Sequence, residues 1–189
     1  MKQIKAICVY CSSRTGHPVH IKLAKEMGRI MAEKGMDLVY GGGSVGLMGI
    51  IAREIKARGG RVTGVIPEHL NEIEIAYTEA DTLHVVQDMQ TRKRIMFDLS
   101  DAFVALPGGL GTLDEILDVV TMAQLGMHEK PVVMLNHDGY WDPFFAVIEH
   151  MIEGGFADST VRQLYLTVGQ VDEVLPALKG WRPAVIPDR

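Results

Sequence analysis

ALPGGLGTLDE, residues 105–115, closes an apolar run over Asp101–Leu106 and opens a helical pattern over Gly111–Leu125. A buried strand that turns through glycines straight into a helix of that length is half of a strand–helix–strand unit. The alternation extends in both directions. Upstream, Ile4–Tyr10 is almost continuously apolar, as a strand covered on both faces must be. His20–Lys34 sets Ile21, Leu23, Ala24, Met27, Ile30 and Met31 at helical spacing, and Gly35 follows as a stop. Asp37–Tyr40 and Arg61–Ile66 read as strands flanking a helix over Gly46–Arg58. Glu68–Asp81 reads as a loop or short helix, Thr82–Val86 as a strand, and Met89–Leu99 as a helix. Downstream come a strand at Pro131–Leu135, a helix at Tyr140–Glu153, and a short strand and helix at Leu166–Val168 and Val171–Leu178. The pattern predicts an α/β fold: a mostly parallel central sheet with helices on both faces. No linker or repeat interrupts it, so a single domain over residues 1–189 is expected.

Composition narrows the functional classes. Hydrophobic residues at 47% and charged residues at 23% place the chain among ordinary globular proteins. A formal net charge of -5 without a basic stripe argues against a nucleic-acid partner. The one dense basic cluster, Arg92-Lys93-Arg94, suits a single phosphate or carboxylate. No apolar run reaches the ~20 residues needed to span a bilayer, so no membrane partner is expected. The N-terminus reads as a first strand rather than a cleaved signal, which predicts a cytoplasmic protein. Cys8 and Cys11 sit three apart on a strand, facing opposite ways, and read as buried thiols. No H-E-x-x-H or comparable ligand spacing occurs, so no metal is expected. The 11 methionines read mostly as core filler, with Met89 as a candidate base contact. Tyr140, Trp141, Phe144 and Phe145 read as core or dimer contacts.

Ligands of parallel sheets gather beyond the carboxyl ends of the strands. Three loops qualify: Cys11–Gly16, Gly41–Gly49 and Pro107–Glu115. The second holds G-x-G-x-x-G at Gly41, Gly43 and Gly46, but after the second strand and with Ile66 where a dinucleotide site wants an acid. It remains a candidate phosphate loop through Gly42, Gly43 and Gly46, with Ser13 of the first loop as a further contact. A tight turn without a ligand is the alternative. In the third loop, Gly108, Gly109 and Gly111 allow close backbone approach, and Thr112 can cap the helix or donate to a phosphate. Asp114 and Glu115 are expected in the first helical turn, where the helix dipole stabilises a carboxylate by ~0.3–1 kcal/mol. Capping alone would then account for both acids. A phosphate beside two carboxylates needs a cation between them, and Arg92-Lys93 is the expected supplier.

P-G-G-x-G-T-x-x-E at Pro107–Glu115, preceded by Met89-x-x-Arg92-Lys93-x-x-Met96, resembles the Lonely Guy family of cytokinin riboside 5′-monophosphate phosphoribohydrolases. Members are often labelled possible lysine decarboxylases. The resemblance extends over most of the chain, through Gly41–Gly49, Val65-Ile66-Pro67, Ala123-Gln124-Leu125-Gly126 and Lys130-Pro131. It implies a homodimeric Rossmann-like enzyme without a cofactor. The reaction it implies is hydrolysis of the N-glycosidic bond of an adenosine-type 5′-monophosphate, to free base and ribose 5-phosphate. It implies Arg92 and Glu115 as the catalytic pair. Substrate contacts would come from Glu74, Arg92, Lys93, the run Gly109, Leu110, Gly111, Thr112, Leu113, Asp114 and Glu115, and Thr121. Departures are Cys11-Ser12-Ser13-Arg14 where C-G-S-S is usual, Asp114 in place of a glutamate, and no histidine after Met89.

In the implied reaction positive charge builds on the ribose, and a carboxylate beside the anomeric carbon favours that state over the neutral ground state. Glu115 is expected in that role, with Arg92 holding it in register and keeping it ionised by lowering its pKa. Two other readings stay open. A Rossmann-like domain can bind a nucleotide without chemistry. A lysine decarboxylase would need a pyridoxal phosphate Schiff base, and no lysine here is presented for one.

Overall fold

The computed structural model describes residues 3–184. Among them, seven parallel strands form one sheet: β1 (Ala6–Tyr10), β2 (Asp37–Tyr40), β3 (Val62–Pro67), β4 (Thr82–Val86), β5 (Ala102–Ala105), β6 (Val132–Leu135) and β7 (Leu166–Val168). Their order is β4-β3-β2-β1-β5-β6-β7. The helices are α1 (Pro18–Glu33), α2 (Gly46–Lys56), the single turn α3 (Glu68–Leu70), α4 (Met89–Asp98), α5 (Leu110–Gln124), α6 (Asp142–Glu153) and α7 (Val174–Gly180). The Rossmann-like expectation is met, with boundaries shifted by one to three residues at most elements.

Alternation along the strands builds two cores. Ile7, Val9, Leu38, Tyr40, Val104 and Val133 point to the face covered by α1, α2 and α7. Cys8, Tyr10, Val39, Phe103, Ala105 and Met134 point to the face covered by α4, α5 and α6. Both faces of every central strand are therefore buried, which is why these segments read as continuous apolar runs. Cys8 lies in the second core and Cys11 in the first, neither in a disulfide, and burial pushes both thiols above their ordinary range.

The chain winds outward from β1 to β4, then crosses back through α4 and lays β5 against the other side of β1. Loops after β1 and β5 thus leave the sheet in opposite directions and open a crevice between them, the usual ligand position in such sheets. The segment after β3, expected as loop or short helix, forms α3 and then a π-helical turn over Asn71–Ile75. Among the described residues no helix is long and apolar enough to cross a membrane.

Candidate active site

Three buried or half-buried charges meet beyond the carboxyl ends of β1, β2 and β3. Arg92 enters from the first turn of α4. That turn is set by Asp88, whose side chain caps the helix by accepting from the Thr91 amide at 2.8 Å. The guanidinium is 4% exposed and donates from Nη2 to the Gly41 carbonyl at 3.0 Å. A side chain at Gly41 would start 1.9 Å from Nη2, so only glycine there leaves room for the arginine. The same nitrogen lies 3.8 Å from Glu115 Oε1 and 3.8 Å from Glu74 Oε2. Nη1 lies 3.6 Å from the Met89 sulfur.

Glu74 reaches this point through an unusual backbone. It sits in the π-helical turn, a form often found at functional sites. Ile75 beside it takes a positive φ of 49°, costly for a β-branched residue and held only by its surroundings. Those surroundings are the second glycine loop. The Ser44 amide donates to the carbonyls of Glu74 and Ile75 at 3.1 and 2.8 Å, and Tyr77 donates to Gly42 at 2.9 Å.

That loop spends several of its donors on the protein. The amides of Leu47 and Met48, at the start of α2, donate to Ser12 at 3.0 and 3.3 Å, and Gly46 packs against the Ser13 backbone. The phosphate loop expected over Ser13, Gly42, Gly43 and Gly46 thus shares its helix end with Leu47 and Met48, whose amides are engaged. Gly46 lets the loop after β1 close over the start of α2.

The third loop differs. Helix α5 begins earlier than expected, with Gly109 as N-cap, so Thr112 is the third helical residue rather than the cap. Thr112 is buried against Gly108, where an added Cβ would lie 2.1 Å from its hydroxyl oxygen. Among the described residues the amides of Leu110, Gly111 and Thr112 donate to no backbone carbonyl outside the helix, and Leu113 is the first to bond back, to Gly109 at 3.0 Å. Gly109 and Gly111 face open space. Asp114 and Glu115 accordingly lie in the second turn, one turn beyond the orphan amides, so helix capping does not account for them.

Glu115 is 7% exposed. Burial pushes its carboxyl up, the Arg92 guanidinium pulls it down, and Glu74 and Asp114 push it up further, leaving it at about 7. The expectation that Arg92 keeps Glu115 ionised is corrected here: the arginine acts in that direction, but desolvation outweighs a cation 3.8 Å away. Burial likewise raises Glu74. Lys93 neutralises the neighbouring acids, with Nζ 3.3 Å from Asp114 and 3.7 Å from Asp118. Thr121 stands apart, exposed on α5 about two-thirds of a turn around from Glu115. Leu110 is 85% exposed, and Leu113 packs partly into the core under α4 and α5. Sequence reading did not find Tyr140 as a member of this region: its hydroxyl donates to the Gly108 carbonyl at 2.7 Å.

A cavity of about 560 Å³ lies beyond the amino ends of the strands, lined by Ile4, Met36, Leu178 and Trp181 among others. It is mainly apolar and far from the Arg92 cluster.

Three solved or curated proteins place the chain. It is 41% identical over 182 residues to a cytokinin riboside 5′-monophosphate phosphoribohydrolase of Oryza sativa subsp. japonica, covering 96% of this chain and 75% of the relative. It is 42% identical over 182 residues to the enzyme of the same name from Arabidopsis thaliana, covering 96% and 85%. Among structures, the molybdenum cofactor binding protein of the phototrophic bacterium Rippkaea orientalis superposes with a TM-score of 0.70 at 23% identity, over 95% of this chain and 98% of that one. That likeness speaks for the fold alone. The sequence model of the family described as "Possible lysine decarboxylase" matches residues 48–178. Since that span carries Glu74, Arg92 and the whole loop from Pro107 to Glu115, the chain belongs to this family, the Lonely Guy family.

Proposed function

We propose that this protein is an N-glycosyl hydrolase that cleaves adenosine-type nucleoside 5′-monophosphates, AMP or N6-modified cytokinin nucleotides, to free base and ribose 5-phosphate. The observation that carries the reading is the buried Arg92 held between Glu115 and Glu74, one helical turn from the open amides of α5. A binding module has no use for two desolvated carboxylates around one cation, an arrangement that costs stability unless chemistry needs it.

The residues divide the work by their chemistry. The amides of Gly111 and Thr112, at the positive end of α5, suit a phosphate and anchor the sugar by its 5′ end. Anchoring spends remote binding energy on orientation. Glu115 then faces the anomeric carbon, accepts a proton from the attacking water, and offsets the charge that develops on the ribose. A carboxyl titrating near 7 is matched to proton transfer at neutral pH. Glu74 is the second acid, and Met89 lies where an apolar substituent of the base would rest.

Two copies form the working unit in this reading. Leu110, Leu117, Leu125 and Met127 are exposed along α5 and just past its end, at 85%, 37%, 54% and 62%. Thr121 lies among them, which suits it to a site completed by a partner copy. The protein is expected to act in the cytoplasm.

Purified protein incubated with a panel of nucleoside monophosphates, with base release followed by chromatography, tests the proposal. Free adenine from AMP or free cytokinin base supports it. Tight nucleotide binding with no base released from any member would make the protein a carrier.

A further inference from the structure

Tyr140 stands in the loop after β6, and its placement is built with care that the core does not require. The ring is 39% exposed, whereas Trp141 beside it is buried. Asp138 and Gly139 both take positive φ, 50° and 73°, so the chain doubles back sharply just before the tyrosine. Asn136 locks that turn: it accepts from the Trp141 amide at 2.6 Å and donates to Asp142 at 2.7 Å. His20 and Trp141 meet the tyrosine ring edge-on, with centroids 5.4 and 5.0 Å away. A strained, stiffened turn thus delivers one hydroxyl to one carbonyl, that of Gly108.

The peptide joining Gly108 to Gly109 has a glycine on each side. Glycines permit backbone states closed to other residues, so this plane can turn over at small cost. A Cβ added at Gly109 would meet nothing, so no side-chain contact there opposes the turn. In a trans peptide the C=O and the following N–H point in opposite directions. With the Gly108 carbonyl held toward Tyr140, the N–H of Gly109, the N-cap residue of α5, points the opposite way. Turned over, the plane would present a carbonyl oxygen there instead, and an anion would meet a negative dipole end.

We propose that Tyr140 is a positioning residue for phosphate: by holding the Gly108 carbonyl it keeps the Gly109 amide aimed at the 5′-phosphate. This rests on reading the start of α5 as the phosphate seat. It adds a residue from a different loop, 32 positions along the chain, as the guard of that seat's polarity.

The test compares the full-length wild type with Tyr140→Phe, which keeps the ring and removes the hydroxyl. Binding of ribose 5-phosphate, inorganic phosphate and adenine is measured by calorimetry, and KM and kcat are measured with AMP. Ribose 5-phosphate and inorganic phosphate should bind about tenfold more weakly to the variant, the worth of one misdirected donor to a charged group. Adenine should bind as before, and KM for AMP should rise more than kcat falls. Unchanged ribose 5-phosphate affinity overturns the proposal, and so does an equal loss for adenine, which would mean general loosening. Should Tyr140→Phe fail to fold, phosphate is titrated into 15N-labelled wild type: a shifted Gly109 amide supports the proposal and an unmoved one overturns it. The two readings fail separately. Weakened ribose 5-phosphate binding without base release from any nucleotide would sink the hydrolase and leave Tyr140 in place. Base release with an indifferent Tyr140→Phe would do the reverse.

Discussion

Arg92 and Glu115 face each other at 3.8 Å, close enough for strong attraction and too far for a direct hydrogen bond. The arginine's short bond, 3.0 Å, goes to the Gly41 carbonyl instead. Main chain therefore fixes the guanidinium, and the carboxylate is left with its lone pairs available to a substrate. Had the two formed a bidentate pair, Glu115 would be held fully ionised and fully occupied, a good salt bridge and a poor base. The gap keeps the acid tethered electrostatically yet chemically free.

Replacing Glu115 by Gln should separate function from stability. Turnover of AMP should fall by at least about a thousandfold, while nucleotide affinity changes by less than about threefold, because Gln keeps the shape and loses the charge that only the transition state needs. Stability should move the other way. The folded carboxyl titrates near 7, above its ordinary 4.5, so ionising it costs the native state nothing below about pH 4.5 and the full amount above pH 7. That amount is about 3 kcal/mol. Melting temperatures of the two proteins should diverge between pH 5 and pH 8, with the variant more stable at the high end. AMP hydrolysis at the wild-type rate by the variant would remove Glu115 from the mechanism.

The pH dependence of kcat/KM reports ionising groups of the free enzyme and of the free substrate. A base must be deprotonated to act, so kcat/KM should climb with pH through about 7 as Glu115 ionises. Arg92 lowers that value, so Arg92→Gln should carry the limb of the residual activity to higher pH. A limb that stays put in Arg92→Gln would belong to another group, for instance the substrate phosphate, whose second ionisation lies near 6.

Two glycines predict opposite outcomes. At Gly111 an added Cβ meets nothing, and the position is helical. Gly111→Ala should therefore gain about 0.5–1 kcal/mol of stability while raising KM for nucleoside monophosphates, because the methyl group occupies the approach to the amides. At Gly41 the same change would drive a methyl into Arg92 Nη2. Gly41→Ala should lose both stability and turnover. Denaturant unfolding beside steady-state kinetics on the two variants checks both. A Gly111→Ala enzyme with unaltered KM would mean that phosphate is held elsewhere.

Much of the architecture was legible because buried parallel strands have no polar face to confuse their reading. Ile4–Tyr10 and Asp101–Leu106 announce themselves as apolar runs, and the glycines between strand and helix mark the sheet's carboxyl edge. What escaped was everything set by long-range geometry. The start of α5 was placed one residue late, and Thr112 was read as a cap by residue type, whereas the backbone had already turned helical at Leu110. Glu74 gave no local sign of its position, since a π-turn has no repeat in the sequence and its register comes from Ser44 and Tyr77. The net pKa of Glu115 depends on how completely Arg92 and Glu115 are desolvated together, which no spacing of residues conveys. Tyr140 looked like another aromatic core residue because the strained turn at Asp138 that brings it to Gly108 is invisible without the loop after β5.

The proposed twofold contact has a specific face. Leu110, Leu117 and Leu125 are spaced seven and eight apart, so they form one stripe along α5, and their exposure in a single chain wastes apolar area that a second copy would cover. The same helix begins at the open amides and carries Glu115 on its inner side, so association and the site share one rigid element. Leu117→Glu combined with Leu125→Glu should give a monomer by sedimentation equilibrium. If the partner supplies part of the site, this monomer should also lose turnover even though Arg92 and Glu115 are untouched. A dimer that survives both charges would locate the contact elsewhere. Helix α6 and the turn after it, with Val147, Met151 and Phe156 exposed, would be the next surface to charge. A monomer with full activity would show that each copy carries a complete site and that Thr121 takes no part in it.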